Sequence, residues 1–166
     1  MRYFTKELWL GVQDCDKAIR EQAEKQWEIN DLAYEQEFAE VKKHLPGKFV
    51  KNYLSRNGFH GYTILDISIF KEKRSYFCKL KLSDGEETVL IEMDGIKALL
   101  VNVNSLTCCI QKSLAWGYDE FEITPDNSIK LSVLCDVQNE LQFEFKNIRF
   151  SLAHHLRKRG TRGRFA

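Results

Sequence analysis

The sequence predicts an α+β protein: a long N-terminal helical segment, broken into two helices, followed by a six- to eight-stranded antiparallel β-meander. Three observations predict it. Residues 5–45 contain no proline and are rich in Glu, Gln, Lys, Ala and Leu, all good helix formers. From Tyr62 onward the apolar residues recur at every second position instead of every third or fourth. Turn signals then punctuate the β-rich half at Asp84-Gly85, Asp94-Gly95, Pro125-Asp126-Asn127 and Gln138-Asn139.

In the helical half, residues 5–55, apolar side chains fall at Leu8, Val12, Cys15, Ile19, Ala23 and Trp27, then at Tyr34, Phe38, Val41 and Leu45. That spacing is one face of a helix. The other face is solvated charge, with Glu21/Lys25 and Asp16/Arg20 one turn apart and Glu24, Glu28, Glu35, Glu37 and Glu40 around them. A continuous helix of ~40 residues would be about 60 Å long, against a radius of gyration near ~15 Å for a compact chain of this size. It must break or protrude. The favoured break is the polar pair Asn30-Asp31, where the stripe loses its period, with Gly11 second. An unbroken helix would protrude as an arm for a partner or for homo-oligomerisation. Pro46-Gly47 ends the run, and residues 48–55 read as a short helix burying Phe49, Val50, Tyr53 and Leu54 before Asn57-Gly58 stops it.

The β-rich half, 62–150, opens with Ile64, Leu65, Ile67, Ile69 and Phe70. Tyr76, Cys78, Leu80 and Leu82 alternate with polar residues up to Asp84-Gly85, the strongest hairpin signal in the chain, and Val89, Ile91 and Met93 return. Residues 96–103 read as a further strand, and 106–116 as either a buried strand or a short helix. Three strands follow, at 118–124, 129–135 and 141–150, with Phe121 and Ile123, Leu131 and Val133, and Leu141, Phe143 and Phe145 on the packed face. The tail, 156–166, is basic and holds almost nothing to bury, the composition of a disordered segment.

Bulk properties bound the function. A chain of 166 residues with 43% hydrophobic residues can bury one core, so residues 1–155 are expected to form a single domain. A formal net charge of +1 gives the whole molecule no pull toward nucleic acid or membrane. No apolar run approaches the ~20 residues of a bilayer span, and the first residues lack a signal-peptide core, so the expected location is cytoplasmic. The five cysteines form no C-x-x-C pair and are expected to be reduced and mostly buried.

The start Tyr3-Phe4-Thr5-Lys6-Glu7-Leu8, running straight into a charged helix, resembles the start of an uncharacterised bacterial family, found mostly in Firmicutes and known only as a domain of unknown function. Trp116 to Ile123, Leu131-Ser132-Val133-Leu134 and Leu141 to Phe145 are similar to that family's C-terminal hairpins. The resemblance implies a bacterial origin and a helix-then-hairpin fold. It implies no catalytic residue, because the family has no established activity. The last meander also has the general look of small bacterial toxin-immunity proteins, a likeness of architecture only.

The phosphate-binding, nucleophile-elbow and zinc-protease motifs are all missing from the sequence. No cofactor or metal is expected: Cys108-Cys109 would point to opposite faces of a strand, and His44, His60, His154 and His155 lack zinc-ligand spacing. His44 near a helix end reads as a cation favoured by the macrodipole. Trp116, Tyr118, Asp119, Glu120, Phe121 and Glu122 form an acidic-aromatic strand edge, read either as a wet face or as a contact surface for a basic protein partner. Arg157, Lys158, Arg159, Arg162 and Arg164, with Phe165, would give weak, salt-sensitive binding of nucleic acid. An enzyme would need a pocket where groups such as His60, Asp66 or Glu92 converge. The sequence therefore predicts a non-enzymatic protein-binding factor, of which an inhibitor or immunity-type protein is one form. The alternatives are weak nucleic-acid binding through the tail and an enzyme of unknown type.

Overall fold

The computed structural model describes residues 1–103, 114–135 and 139–153, and the basic tail, Cys108-Cys109 and His154-His155 lie outside them. The fold is α+β, with the helices first and antiparallel sheets after. Helix α1 spans Lys6–Val12, α2 Lys17–Val41 and α3 Gly47–Leu54. No helix among the described residues is long and apolar enough to cross a membrane.

The helical run breaks between α1 and α2, not at Asn30-Asp31. The cause is local. Asp16 caps α2 by accepting from the backbone N–H of Ala18 and Ile19, and Asp14 accepts from that of Asp16, so the chain turns before a new helix starts. Asp16 is thereby taken from the pair expected with Arg20, whose guanidinium donates to the Asp14 carbonyl. Gly11 lies just before the break. A Cβ there would sit 2.8 Å from that of Ala23, so the glycine is what lets α1 approach α2 closely. Asn30 stays helical because its side chain has its own task, donating to the Tyr3 carbonyl at 2.7 Å. Ala23, Tyr34, Phe38 and Val41 are buried as the stripe predicts, whereas Cys15 and Ile19 are exposed near the break. His44 ends up exposed, in a short 3-10 turn following α2.

The described strands make two sheets instead of one meander. Strands β1 (Thr63–Glu72), β2 (Ser75–Ser83) and β3 (Thr88–Asp94) form hairpins, extended on one side by β5 (Leu114–Ala115) and on the other by β9 (Asn147–Leu152). The second sheet runs β4 (Ala98–Val103), β8 (Asn139–Phe145), β7 (Ile129–Leu134) and β6 (Tyr118–Ile123). The apolar run 141–150 divides at Lys146: β8 belongs to one sheet and β9 to the other. Lys146 donates its backbone N–H to the Asp94 carbonyl, tying this corner to the one at Asp94-Gly95 where β3 passes to β4. Asp84-Gly85 is the β2–β3 turn as predicted, with the Asp84 carboxylate accepting from the backbone of Glu86 and Glu87. The inward residues of both sheets, among them Leu80, Leu82, Ile91, Leu131, Leu141 and Phe143, join Phe38, Phe49 and Phe59 of the helical half in one contiguous buried cluster. Cys78 and Cys135 are buried.

Candidate functional site

Strand β6 is the edge of its sheet, but the edge is not open. Helix α2 lies along it, and the Tyr34 hydroxyl accepts the Phe121 backbone N–H at 2.7 Å, filling a ladder position that a partner strand would otherwise take. The expected contact surface at 116–122 is therefore mostly internal. Trp116, Asp119, Glu120 and Phe121 are buried. Glu120 accepts the backbone N–H groups of Arg2, Tyr3 and Phe4, each at 2.7 Å, and so clamps the first residues onto the sheet. Glu122 is half-buried and paired across the strands with Lys130 at 3.2 Å. Tyr118 alone of the six keeps an aromatic face toward a cavity without being buried.

That cavity is an open cleft of about 430 Å3 among α2, α3 and the start of β6. Its walls are rings. Trp27 and Tyr118 meet at 4.5 Å between centroids in an edge-on arrangement, Phe4 lies 5.2 Å from Trp27 and 5.8 Å from Tyr118, and Tyr34, Phe38 and Tyr53 continue the wall inward. The charged groups lining it are carboxylates: Asp31 and Glu35, exposed on α2, and Asp119 at the floor. His60 stands at the rim, its Nδ1 2.7 Å from the Gly117 carbonyl and its ring 5.0 Å from that of Tyr118. Gly117 is required here by close approach, since a Cβ would meet the Leu134 carbonyl at 2.4 Å and the Trp9 ring at 2.9 Å.

Asp119 sets the electrostatics of the floor. One carboxylate oxygen accepts from the Tyr53 hydroxyl and the other from the Trp116 indole N–H at 2.7 Å. Burial pushes its carboxyl up to about 7; the two hydrogen bonds oppose the rise without cancelling it, and neighbouring Glu120 adds to it. The Tyr34 and Tyr53 phenols are raised too, by burial first and then by Asp119. Among the described residues lining the cleft there is no Ser, Thr, Cys, Lys or Arg. The arrangement can hold a ligand against aromatic rings and present negative charge to it.

The residues named for an enzyme do not converge. His60 lines this cleft, Asp66 is exposed on β1, and Glu92 lies in a separate groove paired with Lys79 at 2.8 Å. Sequence reasoning found Tyr118 and Asp119 and placed Tyr34, Phe38 and Tyr53 on buried faces, where they are, but it did not show that they and the half-buried Trp27 also line a cleft. Their helical spacing is the same whether a ring faces a core or lines a cleft. Fold and geometry thus define an α+β chain bearing an aromatic-walled cleft with acidic lining. No protein-family model, no curated protein and no solved structure matches it.

Proposed function

We propose that this protein is a non-enzymatic protein-binding factor that engages a basic partner at the cleft around Tyr118, an inhibitor or immunity-type role being one form of that activity. One observation carries the reading: the cleft joins aromatic walls to carboxylates, while its floor carboxylate already has both oxygens occupied by Tyr53 and Trp116. Such a lining favours recognition over bond-making, because no nucleophile stands beside a free base. A macromolecular ligand suits the surroundings. Leu54 at the rim is 54% exposed, and the Trp27 and Tyr118 rings beside it are only half-buried. Apolar and aromatic side chains bordered by exposed carboxylates are the composition of a protein-contact surface.

The test is affinity capture with the wild-type chain and with Tyr118→Ala and Trp27→Ala side by side. The expected result is a defined partner retained by the wild type and lost with both variants, whose circular dichroism remains native. Retention of the same proteins by all three chains contradicts the proposal.

A further inference from the structure

We infer that the cleft is a receptor for an arginine side chain of the partner, the guanidinium lying over the half-buried Trp27 and Tyr118 rings that line it and its edge facing Asp31 and Glu35. The inference rests on the proposed protein-binding role and deepens it by naming what the partner inserts.

Four features of the molecule point to this chemistry. The rings come first: Trp27 and Tyr118, packed edge-on with centroids 4.5 Å apart and both half-buried, line the cleft over the buried Phe4, and a cation over an aromatic face is attracted by its quadrupole. Charge complementarity comes second, since the exposed carboxylates of Asp31 and Glu35 line the cleft with no lysine or arginine among the described lining residues. Third, Asp31 and Glu35 stand one turn apart on α2, and neither has an ion-pair partner among the described residues. Like charges at that spacing weaken a helix, so an incoming cation would relieve a repulsion that the fold itself leaves standing. The last feature is size, about 430 Å3, within the roughly 300–1,000 Å3 of ligand-holding clefts.

Arginine fits better than lysine. Its planar guanidinium is weakly hydrated, stacks on flat rings and can present separate N–H groups to two carboxylates, whereas an ammonium is a compact, strongly hydrated point. Leu54, exposed at the rim, would then meet the aliphatic stem or the residues beside it.

The probe is N-acetyl-L-arginine methylamide, with the citrulline analogue as a neutral control of nearly the same shape, titrated into the full-length chain by NMR. The indole N–H of Trp27 should shift on addition of the arginine probe while that of Trp116, bonded to Asp119, stays in place. The citrulline control should bind about tenfold more weakly, and Asp31→Asn with Glu35→Gln should weaken arginine binding about five- to tenfold, the scale of cation–π and exposed charge pairs. Both substitutions are at exposed positions, so folding is not at stake. Equal binding of arginine and citrulline, or no selective shift of Trp27, overturns the inference. Should that occur while a captured partner still depends on Tyr118, the cation assignment fails and the protein-binding role stands. Binding that emerges only once Arg157, Lys158, Arg159, Arg162 and Arg164 are changed to serine would put the chain's own tail in the cleft and overturn the assignment to a partner.

Discussion

Both oxygens of Asp119 accept hydrogen bonds, yet burial still holds its carboxyl at about 7. The groups facing it are Tyr53 from α3, Tyr34 from α2, and Trp116 and Glu120 from its own segment, with no cation among them. The raised value makes the folded state hold a proton that the unfolded chain, with an ordinary value of 3.8, releases. Stability is therefore fully favoured at low pH by this group and is lost as pH rises through the window up to about 7. Asp119→Asn, which mimics the protonated form, should remove that slope. Between pH 5 and pH 8 the wild type is expected to lose on the order of 2 kcal/mol more than the variant in urea unfolding, and parallel slopes would count against the assignment. The carboxylates with lowered values, Glu87 held down by Arg56 and Asp84 and Glu7 by backbone N–H groups, titrate below the pH 5 to pH 8 range of the comparison. At this scale the sequence was only half legible. Tyr118 and Asp119 stood out as part of an acidic-aromatic edge. Nothing in the local pattern distinguishes a wet strand face from one covered by a distant helix, so the burial of Glu120 beneath residues 2–4 could not be read.

Elements were legible where the pattern is periodic and where a turn needs a special residue. The period change near Tyr62, the Asp84-Gly85 turn and the end of the helical run at Pro46-Gly47 all appear where the sequence puts them. The helix breaks at Asp14-Cys15-Asp16, just past Gly11, the second expected position, and not at Asn30-Asp31, where the apolar period is lost. Both are polar interruptions, but only Asp14-Cys15-Asp16 supplies side-chain acceptors for the N–H groups of a new helix. The β1–β2 turn at Lys73-Arg74 went unsignalled as well, since it has no glycine or proline and places Lys73 at φ 53°. If Asp16 truly starts α2, Asp16→Ala should cost about 1 kcal/mol and speed amide exchange at Ala18 and Ile19, while leaving exchange near Asn30 unchanged. A variant with wild-type stability and exchange would mean that the break is set elsewhere.

Across the whole molecule, the helical half does two jobs that follow from its break. With α1 folded back on α2 at Gly11 and Ala23, α2 closes the β6 edge through Tyr34, and the N-terminal residues are held by Glu120. The same packing brings Phe4 and Trp27 to Tyr118 and so builds the cleft; the fold and the cleft share their contacts. That long-range convergence, between residues 114 and 91 positions apart, is what a single sequence without its fold does not display. The opposite edge of the same sheet, β4, carries exposed Leu100 and Val101 and is the rival contact surface. Hydrogen–deuterium exchange on the chain bound to its captured partner separates the two most directly. Protection at residues 27–35, 54–60 and 117–119 is the result the account predicts, and protection confined to residues 98–102 would contradict it.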